Sequence, residues 1–208
     1  MGKLTIRLGA CVLIFLFSTG ITSAKTIVFL GDSLTAGYGV GKERAYPALI
    51  AQRIRAANLP FDVINAGVSG DTSADGLRRI DWLLQQKIDI LVIALGANDG
   101  LRGLTPNLLE TNLQAIIDKA KAKYPQIRIV IAGMRMPPNF GADYEAKFQR
   151  VFGAVAEKNH AVLIPFLLAD VGGNRELNQR DSIHPTEAGQ KVIAENVWQT
   201  LRPLLEQK

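Results

Sequence analysis

The feature that most constrains the fold is a regular alternation between short apolar runs and longer amphipathic segments. The clearest run is Ile90–Leu95, which has no polar interruption and is typical of a strand covered on both faces. Segments with helical spacing separate such runs; Ala74–Gln86, for example, carries Ile80, Leu83 and Leu84 on one face. Strands that alternate with helices predict one α/β domain with a mainly parallel sheet.

The same patterns predict five strands and five helices after residue 24. We predict strands at Thr26–Leu30, Phe61–Asn65, Ile88–Leu95, Ile127–Ala132 and Ala161–Ile164. We predict helices at Ala45–Ala57, Ala74–Gln86, 106–123, Asp143–Asn159 and 187–205, the last capped by Thr186. The segment Phe166–His184 carries no such pattern, and an irregular stretch of this length in a compact domain is often functional.

Small and polar residues follow the first three predicted strands. Gly31-Asp32-Ser33-Leu34 follows the first, Ser69-Gly70-Asp71-Thr72 the second, and Gly96-Ala97-Asn98-Asp99 the third. Ligands of open parallel sheets bind outside the carboxyl ends of the strands, so these segments are candidates for one shared site. Each also has a plainly structural interpretation: a helix cap for the first two and a turn for the third. A phosphate-binding glycine loop is not favoured, because neither common motif is present.

The two histidines distinguish between these interpretations. A hydroxyl nucleophile needs a base whose pKa lies near neutrality, usually a histidine. His160 precedes the fifth strand and is expected at the opposite end of the sheet. His184 lies beyond that strand in Asp181-Ser182-Ile183-His184. The chain can fold back there so that the Asp181 carboxylate accepts a hydrogen bond from the Nδ1–H of His184. The alternative is that Asp181 and His184 are unrelated loop residues.

The N-terminus has the pattern of a secretory signal peptide. Lys3 and Arg7 precede the apolar or small stretch Leu8–Phe17, and Thr22-Ser23-Ala24 supplies small residues before an expected cut at Lys25. We therefore expect a signal peptide at 1–24, a single folded domain at 25–208, and a periplasmic or extracellular location.

Two alternatives for this segment are less favoured. The apolar run is shorter than the ~20 residues that a spanning helix needs, so we expect no stable membrane anchor after cleavage. Cys11 lies in a sequence shaped like a lipid-attachment box, but apolar residues continue after it.

Composition excludes several classes of function. The 208 residues include one Cys and two His, so a disulfide scaffold and a Cys-rich zinc site are excluded, and a His-based metal site is not favoured. Removing residues 1–24, with Lys3 and Arg7, lowers the formal net charge from +5 to +3. No basic run accompanies that charge, so nucleic-acid binding is not expected.

Taken together, the four segments resemble the sequence blocks of the GDSL, or SGNH, hydrolase family. Gly31-Asp32-Ser33-Leu34, Ser69-Gly70-Asp71-Thr72-Ser73, Gly96-Ala97-Asn98-Asp99 and Asp181 to His184 match its blocks in order along the chain. Residues 98–103 and 137–141 are similar to the branch that contains bacterial periplasmic thioesterases, lysophospholipases and arylesterases.

The resemblance implies a flavodoxin-like three-layer α/β/α fold and a serine hydrolase of esters, thioesters or lysophospholipids that uses no metal or other cofactor. It implies Ser33 as nucleophile, His184 as base and Asp181 as its orienting carboxylate. The Ser33 amide, the Gly70 amide and the Asn98 side chain would form the oxyanion hole. Among the apolar residues near the strand ends, we expect Leu101, Pro137, Phe140 and Ile183 to contact the acyl chain.

Two other functions remain open at this point. A carbohydrate O-deacetylase would use the same three residues with a small acyl pocket. A flavodoxin-like binding or receiver module would not be catalytic. A receiver would carry clustered acids after the first strand and Lys after the last, whereas this chain has Asp32 alone and Pro165-Phe166.

Overall fold

The computed structural model describes residue 2 and residues 24–207, so the predicted signal segment lies almost wholly outside the described residues. Five strands are found: β1 (Lys25–Gly31), β2 (Phe61–Gly67), β3 (Ile90–Ala94), β4 (Arg128–Ala132) and β5 (Val162–Ile164). The α-helices are α1 (Ser33–Ala36), α2 (Tyr46–Ala56), α3 (Ser73–Leu83), α4 (Ala97–Leu101), α5 (Pro106–Lys123), α6 (Ala142–Asn159) and α7 (Glu187–Glu206).

The five strands form one parallel sheet in the order β2-β1-β3-β4-β5. The helices α3, α5 and α6 pack side by side, and α2 packs against α7. The helices are thus divided between the two faces of the sheet. Right-handed crossovers explain this, because the chain moves in one direction along the sheet after β2 and in the other direction between β1 and β2. The predicted three-layer α/β/α fold is therefore confirmed.

Strand β3 lies in the middle of the sheet and all five of its residues are buried. Its continuous apolar sequence reflects helices on both faces. The strand order reverses at β1, which lies between β2 and β3 in the sheet. Helix α3 connects β2 to β3 and so passes over β1. The carboxyl ends of β1 and β3 therefore flank the crevice in which open α/β sheets bind ligands.

The predicted bounds differ from the structure by at most three residues, the largest difference being at the end of α3, which is Leu83 and not Gln86. Strand β2 continues to Gly67 and β3 stops at Ala94, and the short helices α1 and α4 follow β1 and β3 directly. A helix of four or five residues is too short to show an apolar period, which is why neither was predicted. Short 3₁₀ turns occupy Lys42–Arg44 and Pro138–Phe140.

The stretch 166–184 contains no helix or strand, as predicted, and a single antiparallel bridge between Asn178 and Pro185 joins its end to the start of α7. Thr186 caps α7 by accepting from the Gly189 N–H, as expected. None of the helices among the described residues combines the length and the apolar character needed to span a membrane.

Candidate active site

Ser33 is the first residue of α1, and only Asp32 separates it from the end of β1. Asp32 caps this helix, and its Oδ1 accepts from the Leu34 N–H at 3.0 Å. Gly31 is required at the turn because a Cβ there would lie 2.0 Å from the Thr35 Oγ1. The structural interpretation of Asp32 as a cap is thus correct, and it also fixes the backbone of Ser33 at the crevice.

A continuous chain of contacts joins Ser33 to the loop before α7. The His184 Nε2 lies 3.0 Å from the Ser33 Oγ, and the His184 Nδ1 lies 2.7 Å from the Asp181 Oδ2. Residues separated by 148 to 151 positions in the sequence therefore meet at the carboxyl end of β1. The structure brings Ser33, His184 and Asp181 together in the order that the sequence analysis expected.

Asp181 is shaped to hold the imidazole. Its Oδ1 accepts the backbone N–H groups of Ile183 and His184, both at 3.0 Å, which leaves Oδ2 for the ring. Ser182 turns the loop with a positive φ of 59°. The His184 N–H lowers the pKa of Asp181 most, followed by the His184 side chain and the Ile183 N–H, and the pKa falls to about 2. Asp181 is therefore ionised throughout the neutral range.

Two residues that the sequence analysis missed join this loop to the turn after α1. The Gln179 Nε2 donates to the Tyr38 carbonyl at 2.8 Å and to the Pro185 carbonyl at 3.0 Å. The Tyr38 ring lies against the His184 imidazole, with centroids 4.4 Å apart and planes 39° apart. The Gly-Tyr-Gly sequence around Tyr38 signals a turn, but nothing in the sequence links that turn to His184.

The Gly70 turn faces the same crevice from the end of β2. Gly70 has a positive φ of 87°, and its carbonyl accepts from the Arg102 Nη2 at 2.8 Å. The Asn98 Nδ2 donates to the neighbouring Asp71 carbonyl at 3.0 Å, so α4 holds this turn from two points. Within residues 24–207, neither the Ser33 nor the Gly70 N–H donates to a protein acceptor.

Asp32 is fully buried next to the Ser33 N–H and the Asn98 side chain. Its second oxygen, Oδ2, lies 3.5 Å from the Asn98 Nδ2. The pKa of Asp32 is raised to about 7, mainly because the carboxyl group is buried and to a lesser extent because of the negative charges of Asp71 and Asp99. Arg79 offsets part of this negative charge, because it donates to the Asp71 carboxylate at 2.7 Å and to the Gly31 carbonyl at 2.9 Å.

Asp99 has a structural position rather than one facing the crevice. It is fully buried and accepts both the backbone N–H and the hydroxyl of Ser73 at the start of α3, and Asn112 of α5 donates to the same hydroxyl at 2.9 Å. Burial raises the pKa of Asp99. The result is that α4, and with it Asn98, is anchored to α3. Thr72 caps α3 in a reciprocal pair with Asp75, so the structural interpretation of the second segment as a helix cap is correct for Thr72.

The residues expected to contact an acyl chain do not all share one environment. Leu101 at the end of α4 and Ile183 beside His184 are exposed apolar side chains at the crevice. Pro137 is exposed in the loop after β4, whereas Phe140 is half-buried and stacks on Tyr144 of α6. Met134, two residues beyond the end of β4, is part of the buried core.

The remaining expectations concern His160 and metal binding. His160 is exposed at the C-terminus of α6 with a φ of 51°, just before β5 and at the amino end of the sheet, as predicted. Among the described residues, no group of three or more His, Cys, Asp or Glu side chains is arranged to hold a metal ion.

Comparison with known proteins adds independent information. The model of the GDSL-like Lipase/Acylhydrolase family matches residues 29–192. Esterase TesA of Pseudomonas aeruginosa is 41% identical over 95% of this chain and 98% of its own length. A crystal structure of TesA has a TM-score of 0.83 at 42% identity and covers 87% of this chain and 100% of that one.

Two further curated relatives carry names of ester-cleaving enzymes. An arylesterase of Vibrio mimicus is 37% identical, covering 94% of this chain and 98% of that protein. Thioesterase 1/protease 1/lysophospholipase L1 of Escherichia coli K12 is 35% identical, covering 92% of each chain.

Proposed function

Because the chain belongs to the GDSL-like lipase/acylhydrolase family of serine ester hydrolases, we propose that Ser33 is its nucleophile and that hydrolysis passes through an acyl-enzyme. The observation that carries the proposal is the chain of contacts from the Ser33 Oγ to His184 at 3.0 Å and on to Asp181 at 2.7 Å. A nucleophile, a base in hydrogen-bond reach and a third group that orients the base are the parts that this chemistry needs.

In the first step, the His184 Nε2 takes the Ser33 proton as the Ser33 Oγ attacks the carbonyl carbon of an ester or thioester. Asp181 accepts a hydrogen bond from the Nδ1–H of His184, which selects the correct tautomer and stabilises the imidazolium as it forms. Its low pKa, about 2, keeps that carboxylate charged throughout the neutral range.

The developing oxyanion needs hydrogen-bond donors that are already oriented toward it. We assign this role to the Ser33 N–H, the Gly70 N–H and the Asn98 side-chain amide. One Asn98 N–H is used by the Asp71 carbonyl at 3.0 Å, while the other has only the 3.5 Å contact with Asp32 and is available to substrate. Removing a single donor of this kind typically costs about 3–4 kcal/mol of transition-state stabilisation.

Collapse of the tetrahedral intermediate releases the alcohol or thiol, which His184 protonates through Nε2. A water molecule then attacks the acyl-enzyme with His184 again as base, and Ser33 is regenerated. Each proton therefore passes through one atom, the His184 Nε2.

For the acyl part of the substrate we propose a medium or longer aliphatic chain. Leu101 and Ile183 are 38% and 46% exposed beside the crevice and would be covered by such a chain. Pro137 and Phe140 are proposed as more distant contacts. The small-pocket alternative, a carbohydrate O-deacetylase, would leave Leu101 and Ile183 in water.

Two experiments test these assignments. A fluorophosphonate probe should label the purified protein but not the Ser33→Ala variant; equal labelling of both proteins would contradict the assignment of the nucleophile.

Asp181→Asn should retain the fold and lose activity by about four orders of magnitude, because the imidazole then adopts the wrong tautomer.

A series of p-nitrophenyl esters from acetyl to decanoyl tests the acyl preference. We expect kcat/KM to rise with chain length and to fall for the long esters in Leu101→Ser. Activity restricted to acetyl esters would favour the O-deacetylase instead.

We also propose that residues 1–24 direct export and are removed, so that the enzyme acts in the periplasm or outside the cell. The positive start, the apolar stretch and the small residues before Lys25 support this.

A further inference from the structure

Tyr38 is an aromatic side chain held in a fixed position although half of it is exposed. Its backbone N–H donates to the Ser33 carbonyl at 3.1 Å, and its carbonyl accepts from Gln179 at 2.8 Å. It lies between Gly37 and Gly39, which have φ values of 78° and 77° and shape a tight turn. The side chain is nevertheless 52% exposed, so this rigid turn presents an aromatic surface to solvent.

That surface lies directly beside the proposed proton-transfer atom. The Tyr38 ring and the His184 imidazole have centroids 4.4 Å apart, in a tilted arrangement that covers one face of the imidazole. The His184 Nε2 in turn lies 3.0 Å from the Ser33 Oγ. The exposed part of the Tyr38 ring therefore borders the space in which His184 meets substrate.

Proton transfer determines which part of the substrate occupies that space. The leaving-group oxygen or sulfur must come within hydrogen-bond reach of the His184 Nε2 to be protonated. The substituent on that atom consequently lies beside the imidazole. The acyl chain is attached to the carbonyl carbon and not to the leaving atom, so it is free to extend toward Leu101 on α4.

An aromatic substituent would gain most from this neighbour, because aromatic rings pair favourably in tilted or offset arrangements at centroid distances of about 4.5–7 Å. Aliphatic leaving groups, such as glycerol or an alkyl thiol, would gain only ordinary contact area.

We infer that Tyr38 is a specificity-determining residue that binds the ring of an aromatic leaving group and thereby raises kcat/KM for an aryl ester over an alkyl ester of equal reactivity. This inference rests on the proposed roles of Ser33 and His184 and deepens them, since it concerns the alcohol part of the substrate rather than the acyl part.

The test compares two butyrate esters whose alcohols have matched acidity: phenyl butyrate and the ester of a fluorinated alkyl alcohol. Matching the acidity removes the difference in intrinsic reactivity, so a change in the ratio of their kcat/KM values reports on the ring. We expect Tyr38→Leu to lower kcat/KM for the phenyl ester about threefold to tenfold and to leave the alkyl ester within about twofold. Tyr38→Phe should keep the ratio of the unmodified enzyme.

Trp82→Leu is the matched control, because Trp82 is an aromatic side chain 70% exposed on α3 with no contact to the triad. It should change neither substrate. Equal losses on both esters in Tyr38→Leu would mean that Tyr38 only positions His184, and unchanged rates on both would mean that it does neither; either result would overturn the inference.

A measurement on the unmodified enzyme keeps the inference testable if Tyr38→Leu does not fold. Phenol should inhibit hydrolysis of the alkyl ester competitively and at least about threefold more strongly than cyclohexanol, which has a similar size but no aromatic face. Equal inhibition would count against an aromatic subsite. Failure of the proposed function is distinct: the unmodified enzyme would then hydrolyse neither ester and resist the fluorophosphonate probe.

Discussion

At the scale of single residues, Asp32 shows how far tertiary burial changes a side chain that looks ordinary in the sequence. It caps α1 through the Leu34 N–H, a role open to many exposed Asp residues, yet it is completely buried. Burial is the largest cause of its raised pKa, about 7, and it lies close to Asp71 and Asp99. A buried carboxyl group whose pKa is raised to about 7 thus lies beside Ser33 and Asn98.

This environment predicts a pH dependence of stability. The pKa of Asp32 rises from 3.8 when unfolded to about 7 when folded, so the folded state binds the proton more tightly. The free energy of unfolding should therefore fall as the pH rises from about 4 to about 7, by an amount on the order of a few kcal/mol. Asp32→Asn keeps an oxygen for the Leu34 N–H and has no proton to lose, so it should not show this decline.

Urea unfolding of both proteins between pH 4 and pH 8 measures the difference. The stability of Asp32→Asn relative to the unmodified protein should increase with pH. Asp62→Asn, which changes an exposed carboxyl group on β2, is the control and should follow the unmodified protein. Parallel curves for the Asp32 variant would show that burial does not hold the proton.

At the scale of elements, the site depends on two helices of a single turn. Helices α1 and α4 begin immediately beyond β1 and β3 and carry Ser33 and Asn98. Such short helices are marginal on their own, so their positions depend on contacts with their neighbours. For α4 the contact is Asp99 with Ser73 of α3, supported by Asn112 of α5.

Ser73→Ala should weaken that connection. The change removes the hydroxyl donor to Asp99 and the acceptor for Asn112, and leaving buried polar groups without a partner costs about 1–3 kcal/mol. We expect a loss of stability of that size together with a lower kcat, since Asn98 would no longer be held in place. Thr111→Ala, on the exposed side of α5, is the control for loss of a helix hydroxyl. A full kcat in Ser73→Ala would show that α4 keeps its position without this contact.

At the scale of the whole molecule, the sheet converts distant sequence blocks into neighbours. Because the strands are parallel in the order β2-β1-β3-β4-β5, the carboxyl ends of β1, β2 and β3 lie at the same end of the sheet. The loop after β5 extends to this end and contacts Ser33. Strand β1 begins at Lys25, which is also the expected first residue after signal cleavage. The proposed export therefore leaves the sheet complete.

That proposal predicts a mature N-terminus at Lys25. Expression of the full chain in a bacterium should yield periplasmic protein whose N-terminal sequence begins Lys-Thr-Ile, and replacing Lys3 and Arg7 by Glu should leave the protein uncleaved in the cytoplasm. A chain that starts at Lys25 should have the same esterase activity as the processed enzyme. Exported protein that retains residues 1–24 would contradict cleavage.

The sequence by itself was sufficient for the α/β class, the five strands and the polar segments at their ends. Apolar period and strand-end position are local properties, and Ile90–Leu95 or Asp181 to His184 display them without reference to the rest of the chain. The bounds of β2 and β3 were less well predicted, because contacts with neighbouring strands decide where pairing stops.

Only the tertiary structure decided what surrounds those segments. The contact of Tyr38 with His184, the bonds that Gln179 makes to both loops and the burial of Asp32 all join residues that have no shared pattern in the sequence. Their positions follow from how closely the loops pack once the sheet has formed, and desolvation of Asp32 depends on every group that covers it. For this reason the candidate catalytic residues could be predicted from the sequence, whereas the raised pKa of Asp32 and the residues that contact the site could not.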